Sequence, residues 1–213
     1  MEHLVTSARD VAYAYLRGRL VEGHLPPGEV LDDATIAQEI SVSRTPVREA
    51  LIQLEREGVV AMPPRRRPKV AEAHAGDLEL IIAPLGILHA LAAQLAAPRA
   101  TGDDVAALRA HNDELLDALR EGDVGRARLA DLAFHRVLVS RADNRFLTSA
   151  IDSLELHTSR TVSLYFRNRG PDGRSAREHD EIIEAVAARD GLGAARATRS
   201  NYLRGLPTIG EPE

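Results

Sequence analysis

Apolar residues recur at the spacing of an α-helix along almost the whole chain of 213 residues. Short breaks such as Gly102-Asp103, Gly122-Asp123 and Gly170-Pro171 interrupt this pattern, and residues of these types end helices. The pattern predicts nine helices, over about residues 7–22, 33–40, 44–57, 77–97, 104–121, 124–141, 145–167, 175–189 and 193–204. Since 44% of the residues are hydrophobic and 28% charged, we expect a folded, mainly α protein.

Residues 59–71, VVAMPPRRRPKVA, are the exception to this pattern. They contain three prolines, and β-branched residues lie on both sides of a basic turn, which predicts a two-stranded ribbon with a positive tip. Composition also changes here: residues 1–70 carry 10 basic and 10 acidic residues, whereas residues 71–213 carry 17 and 22. We predict a first domain over 1–71, a linker over 72–76 and an antiparallel bundle of about six helices over 77–213.

Residues 32–60 have the pattern of a helix-turn-helix motif. A tight turn through Ser41 and Val42 separates two predicted helices. Ser43 is placed as the N-cap, where its hydroxyl would accept a hydrogen bond from a free amide of the second helix. Gly58 supplies the stop of that helix. The basic ribbon that follows completes a winged version of the motif.

The second helix of such a motif presents its first turn to the major groove of DNA. Arginine suits this position because its guanidinium matches guanine O6 and N7 or a phosphate. The wing would contact phosphates or the minor groove. An alternative is that these cations are ordinary solvated side chains. The predicted DNA-binding residues are Ser43, Arg44, Thr45 and Arg48 in the motif, and Arg65, Arg66, Arg67 and Lys69 in the wing.

Asp131 and His135 lie four residues apart, and so on one face of an otherwise apolar predicted helix. A carboxylate and an imidazole in such a place cost free energy unless they are paired or bound to a cation. His179 lies ahead of the apolar stripe of a later helix. One carboxylate and two imidazoles suit Zn²⁺, Ni²⁺ or Mn²⁺ and leave positions open for ligand oxygens. A hydrogen-bonded Asp131–His135 pair without metal is the other interpretation.

Charge and cysteine content limit the classes of function. The chain has no Cys, so any metal would be held by His and carboxylate. We expect no signal peptide and no stretch of about 18 uncharged apolar residues that could span a membrane, which predicts a cytoplasmic protein. The net charge of −5 argues against a nucleic-acid partner only when it is averaged over the chain, because the first 70 residues are neutral and cluster their cations.

The run LPPGEVLDDATIAQEISVSRTPVREALIQLEREGVV, at residues 25–60, resembles the winged helix-turn-helix of the GntR family of bacterial transcription regulators. The resemblance implies a homodimer on operator DNA with two half-sites. It also implies that Arg44, Thr45 and Arg48 contact the DNA. Ala34 stands where some members of the family have a DNA-contacting arginine.

Residues 77–204 resemble the FCD domain, the all-α effector-binding domain of one GntR branch, through the segments DLAFH, NRFL and EHDEIIEAV. This resemblance implies a divalent metal on Asp131, His135, His179 and a fourth histidine of the last helix. Asn201 stands at that fourth position, or Tyr202 if one Gly of GLGAAR is an insertion. His157 is a further candidate ligand.

FCD domains often carry an arginine and a glutamate on their first helix, where the arginine helps to hold an acidic ligand. Leu85 and His89 stand at these positions here, which implies a pocket of different polarity. The candidate residues of the effector pocket are His89, Arg109 and Arg160, and Arg167 is another cation that could reach it.

These features predict a sequence-specific DNA-binding transcription regulator, a repressor rather than an enzyme. A small-molecule effector, a metabolite or organic acid bound near the metal, would control its affinity for the operator. The alternatives are a metal-dependent helical hydrolase and a constitutive, dimeric DNA-binding protein without an effector.

Overall fold

The computed structural model describes residues 7–72, 76–166 and 174–204, without the side chains of 79, 159–166 and 204. Its elements are α1 (Ala8–Val21), α2 (Asp33–Glu39), α3 (Arg44–Arg56), β1 (Val60–Ala61), β2 (Lys69–Val70), α4 (Asp77–Ala96), α5 (Gly102–Glu121), α6 (Val124–Ala142), α7 (Arg145–Phe166), α8 (Arg174–Ala187) and α9 (Gly191–Arg204). The predicted helices begin and end within two residues of these bounds, which confirms the mainly α fold. The predicted break at Gly170-Pro171 lies outside the described residues.

Local capping explains why the helices begin where they do. Ser7 starts α1 and Thr101 starts α5, each with a reciprocal capping box. The cap hydroxyl accepts a hydrogen bond from the backbone N–H of an aspartate three residues later, and the side chain of that aspartate accepts one from the backbone N–H of the cap residue. Asp32 caps α2 by accepting from the amides of Ala34 and Thr35, at 3.0 and 3.1 Å. Gly122 ends α5 with a φ of 73°, in the left-handed region that favours glycine.

The chain divides into two compact units, and the first contains the residues up to Ala75 together with Leu156–Ser163. In it, α1 and α2 pack on α3. β1 pairs with β2 in antiparallel register, Val60 opposite Val70 and Ala61 opposite Lys69, which confirms the predicted ribbon. The buried side chains of this unit include Leu16, Leu20, Val47, Leu51 and Leu54.

The second unit contains α4, α5, α6, α8, α9 and the first half of α7. Its main core cluster includes Leu108 of α5, Phe134 and Leu138 of α6, and Ile182 and Val186 of α8. α4 packs against both α6 and α9. The unit is therefore a helical bundle in which α4, α6 and α8 bring side chains to a common interior.

The apolar composition of α4 corrects one sequence-based expectation. Leu80–Arg99 is 20 residues long with a mean hydropathy of 1.9, so by length and composition this stretch could cross a membrane, and the expectation that no such stretch exists is wrong. The stretch is apolar because α4 has neighbours on more than one side. Ala92, Ala93 and Ala96 are completely buried there.

Candidate nucleic-acid interface and metal centre

α3 has one buried face and one exposed face, as the recognition helix of a helix-turn-helix requires. The buried face consists of Val47, Ala50, Leu51 and Leu54, which are inaccessible to solvent. Arg44, Thr45 and Arg48 are exposed at the start of the helix. The turn before it passes through Ser41, which has a φ of 56°. These features place two arginines and a hydroxyl on the free surface of the first turns.

The capping role predicted for Ser43 is wrong. Ser43 occupies the N-cap position of α3, but its side chain makes no capping hydrogen bond. A cap hydroxyl accepts from the amide two or three residues later. The third position here is Pro46, which has no N–H to donate. The Ser43 side chain is exposed beside Arg44 and remains a candidate for DNA contact.

The wing carries exposed cations at its tip, where Arg65 has a φ of 59°. Arg65, Arg66 and Arg67 are all exposed. Arg67 pairs with the helix cap Asp32, with Nη1 3.0 Å from Oδ2, and Lys69 pairs with Glu72 at 3.5 Å. Arg48, Arg65 and Arg66 make no ion pair within the part of the chain that the structure describes.

A groove of about 700 Å³ separates the start of α3 from the wing. Arg44 and Arg48 line it on one side, and the three wing arginines line it on the other. Asp33 lies in the same groove, and its Oδ1 is 2.8 Å from Nη2 of Arg44. The first unit thus has a concave surface with five arginines, which suits a polyanion.

In the second unit, α6 and α8 bring Asp131, His135 and His179 together, so that one potential ligand atom of each lies within 4.8 Å of the others. Nε2 of His179 is 3.4 Å from Oδ1 of Asp131, which also accepts a hydrogen bond from the Ser175 hydroxyl at 3.3 Å. Asp131 makes no hydrogen bond to His135 among the described residues. The arrangement is therefore a three-residue cluster rather than an isolated pair.

Burial shifts the pKa values of these groups in the direction that favours their neutral forms. It lowers the pKa of His179 to about 3 and that of His135 well below its usual value, the latter with help from the neighbouring His179 and His89. It raises the pKa of Asp131 to about 6, against the hydrogen bond from Ser175. Both imidazoles are therefore neutral at pH 7, which is the form that binds metals.

The cluster fits a divalent cation. Nδ1 of His135 and Nε2 of His179 are buried and have no hydrogen-bond partner in the structure. A buried nitrogen without a partner is costly, and a metal bond would remove that cost. Nδ1 of His179 is 3.1 Å from Oδ1 of Asn112, an outer contact of the kind that orients metal-binding histidines.

Asn201 and Tyr202, the two candidates for a fourth ligand, both lie beside the cluster. The Asn201 amide donates to Glu178 Oε2 at 3.0 Å and to the Ser175 hydroxyl at 3.4 Å. The ring of Tyr202 is 4.9 Å from that of His135, measured between centroids. Asn201 therefore contacts groups around the centre, and its role as a ligand stays a prediction.

The predicted pocket residues have different surroundings. His89 is 1% exposed and faces Glu155, with Nε2 3.2 Å from Oε1. Arg109 is exposed on α5 because it follows the buried Leu108 by one residue, so the structure does not bring it to the interior. The Arg160 side chain and Arg167 lie outside the described residues, and His157 groups with the first unit.

Sequence reasoning missed three polar residues of this interior. Glu155 pairs with His89 and with Arg136, and Asn112 binds His179. A signal was available for Glu155, because it lies one turn after the buried Ile151 on the apolar stripe of α7. Asn112 similarly lies one turn after Leu108 on the inner face of α5.

Comparison with known proteins agrees with both units. The family model of gntR bacterial regulatory proteins matches residues 8–70, and that of the FCD domain matches residues 81–203. The HTH-type transcriptional regulator YdhC of Bacillus subtilis is 28% identical over 178 residues, which are 82% of this chain and 78% of that protein. The HTH-type transcriptional repressor RspR of Escherichia coli is 25% identical over 185 residues, 87% and 81% of the two chains.

The fold also occurs in solved structures. That of McbR/YncC from E. coli superimposes with a TM-score of 0.82 at 22% identity, covering 93% of this chain and 94% of the other. The matched domains and relatives are transcription regulators, which removes support for a hydrolase. The chain belongs to the GntR family, in the branch with an FCD domain, and is a DNA-binding transcription regulator with an effector-binding C-terminal domain.

Proposed function

We propose that this regulator is a cytoplasmic homodimer that represses transcription from an operator with two half-sites. It would dissociate from that operator when it binds a small organic acid. The observation that carries the DNA-binding part is the groove between α3 and the wing, which presents Arg44 and Arg48 opposite the wing arginines. Repression and dimerisation draw support from the similarity to the RspR repressor and from the two-fold operators that helix-turn-helix dimers bind.

Two kinds of DNA contact follow from the positions of the cations. Arg44, Thr45 and Arg48, on the first turns of α3, would contact base edges in the major groove. The wing residues Arg65, Arg66, Arg67 and Lys69 would contact phosphates, which hold the protein in register without reading sequence. Ser43, exposed at the N-cap, would contact the backbone next to Arg44.

The effector would bind in the second unit near a divalent metal, Zn²⁺, Ni²⁺ or Mn²⁺. Asp131, His135 and His179 would hold the metal, and Asn201 or Tyr202 would lie next to it. A bound metal supplies a positive centre for a carboxylate or hydroxyl oxygen of the effector. Buried Leu85 adds no cation to this interior and Arg136 is already paired with Asp152 and Glu155, so the metal would be the main partner of an acidic group.

The DNA-binding part is tested with full-length protein and with duplexes that this protein selects from a random-sequence library. We expect Arg44→Ala and Arg48→Ala each to weaken binding to selected DNA by about 10- to 100-fold, because each removes a base contact worth about 1–3 kcal/mol. Binding to unselected DNA should change much less. Fluorescence anisotropy at fixed salt measures both affinities.

Arg56→Ala is the matched control, since Arg56 is an exposed arginine in the last turn of the same helix. It should leave selective binding within about two-fold of that of the unaltered protein. Circular dichroism checks that each variant keeps its helical content. Selective binding that survives in both Arg44→Ala and Arg48→Ala would contradict the proposed interface.

A further inference from the structure

Three buried histidines of the second unit each have one ring nitrogen without a hydrogen-bond partner. These atoms are Nδ1 of His89, Nδ1 of His135 and Nε2 of His179. The residues lie on α4, α6 and α8, and none is more than 3% exposed. Buried polar atoms without a partner are rare in native proteins, and binding to an ion is one explanation for them. The metal centre accounts for two of them and leaves His89 without a role.

His89 and His179 are held in the same manner. Nε2 of His89 is 3.2 Å from Oε1 of Glu155, and Nδ1 of His179 is 3.1 Å from Oδ1 of Asn112. Since both oxygens are acceptors, each contact fixes the ring proton on that nitrogen and leaves a lone pair on the other. Metal-binding histidines have this arrangement, with the outer N–H donated to a carboxylate or carbonyl oxygen.

Glu155, the partner of His89, is itself held in place. It is 5% exposed and also pairs with Arg136, which makes a second ion pair with Asp152. A carboxylate fixed in this way orients the imidazole that donates to it. The His89–Glu155–Arg136 chain therefore resembles the outer support of a metal ligand more closely than an isolated buried pair.

Two other imidazoles lie at nearly the same distance from His135. The ring centroid of His135 is 5.3 Å from that of His89 and 5.2 Å from that of His179. Two imidazoles bound tetrahedrally to one zinc ion, with Zn–N bonds of about 2.0–2.1 Å, have ring centres about 5 Å apart. His135 thus has a neighbouring imidazole at this separation on α4 as well as on α8.

We propose that His89 is a third imidazole ligand of the metal that Asp131, His135 and His179 hold. The inference rests on the metal centre of the proposed function. The ligand atoms within 4.8 Å of one another do not include one from His89, so its ring must turn toward them when metal binds. One carboxylate and three imidazoles then supply four ligands of the kinds that zinc takes, and an effector oxygen would add a fifth, a coordination number that zinc reaches in some sites. A purely structural His89–Glu155 pair would leave Nδ1 unpaired.

The test uses full-length protein stripped of metal and titrated with Zn²⁺ against a chromophoric chelator. His89→Gln is the informative variant, because a glutamine amide can still donate to Glu155 but supplies no imidazole nitrogen. We expect it to weaken Zn²⁺ binding by at least about 10-fold, the lower end of the effect of altering even an outer contact of a metal site. X-ray absorption should count three imidazoles on zinc in the unaltered protein and two in the variant.

His24→Gln is the matched control, since it makes the same substitution at an exposed histidine of the first unit, whose Nδ1 is 3.3 Å from Glu22 Oε2 and which is not part of the metal cluster. It should leave zinc affinity within about two-fold. Unchanged affinity in His89→Gln, or two imidazoles in the unaltered protein, would overturn the role of His89 and leave the proposed metal centre intact. A stripped protein that binds no zinc would overturn both. If His89→Gln fails to fold, the imidazole count of the unaltered protein decides.

Discussion

At the scale of single residues, the contact between Asp33 and Arg44 bears most directly on DNA reading. Asp33 Oδ1 lies 2.8 Å from the Arg44 guanidinium, and about two thirds of the Arg44 side chain is exposed. An exposed ion pair of this kind adds little to stability. It does restrict where a flexible arginine points, and a carboxylate in the groove also repels phosphate. We therefore expect Asp33 to increase selectivity rather than total affinity.

Asp33→Asn tests this role. We expect binding to unselected DNA to rise several-fold, because a negative charge facing the phosphates is lost, while the preference for selected DNA falls. Asp33→Glu, which keeps the charge, should stay close to the unaltered protein. Anisotropy titrations on selected and scrambled duplexes at two salt concentrations measure both effects. A preference that is unchanged in Asp33→Asn would argue against the role of this contact.

The groups that carry chemistry could be predicted from the sequence when a local pattern placed them. Asp131 and His135 share a helix face by spacing alone, and Arg44 and Arg48 follow from the motif. The pairing of His89 with Glu155 joins residues 66 positions apart, and Asn112 reaches His179 across 67. Such contacts depend on how helices pack, which helical periodicity does not specify.

At the scale of elements, α4 and α9 approach each other closely at two glycines. A Cβ added to Gly86 of α4 would lie 2.7 Å from Cβ of Tyr202, and one added to Gly191 of α9 would lie 2.7 Å from the Gln94 carbonyl oxygen. Real Cβ atoms do not come this close. The glycines thus allow the contact that brings Tyr202 over His89, at a ring separation of 4.8 Å.

Gly86→Ala should therefore destabilise the second unit. We expect a loss of about 1–3 kcal/mol in the free energy of unfolding, typical of an overpacked core, which outweighs the gain in helix propensity. Gly18→Ala is the control, because the added Cβ there has no atom within 4 Å and should stabilise α1 by about 0.5–1 kcal/mol. Urea unfolding followed by circular dichroism measures both. A Gly86→Ala protein as stable as the unaltered one would contradict the close packing.

Helix ends were predictable because capping and stop signals are local. Asp32 at the start of α2 and Gly122 after α5 fix their ends with their own side chain or φ angle. Ser43 shows the limit of this reasoning, since Pro46 removes one of the two amides from which a cap hydroxyl can accept, and no capping hydrogen bond forms there. The composition of α4 shows another, because a core helix and a membrane helix are alike in hydropathy, and only the packing of Ala92 and Ala93 distinguishes them.

At the scale of the whole molecule, the two units carry different charges. Residues 1–70 are neutral and concentrate arginines at one groove, whereas residues 71–213 hold the entire excess of five acidic residues. An acidic second domain reduces indiscriminate attraction to DNA, so binding depends on the groove. The second unit places its neutral imidazoles in the interior, where a cation would be their natural partner.

Removing the metal should affect the second unit selectively. A ligand that binds only the folded state at 100 times its Kd adds about 2.7 kcal/mol, which for a protein of this size corresponds to roughly 5–10 °C in Tm. We expect a chelator to lower by that amount the thermal transition of the unit that contains Asp131 and His179, measured by calorimetry on the full chain. Added operator DNA should raise the transition temperature of the first unit, and this shift shows which of the two thermal transitions belongs to which unit.

Asp131→Asn is the variant that makes this measurement decisive. It is nearly isosteric and removes the one carboxylate of the cluster, so its transition should respond far less to the chelator. Burial raises the pKa of the Asp131 carboxyl to about 6, so its negative charge at pH 7 is unfavourable in the folded protein, and the substitution removes that charge. Metal-free Asp131→Asn should therefore be at least as stable as the metal-free unaltered protein. A large loss of stability without metal would instead mean that Asp131 stabilises the bundle by itself, and a chelator without effect on the unaltered protein would mean that no metal is held there.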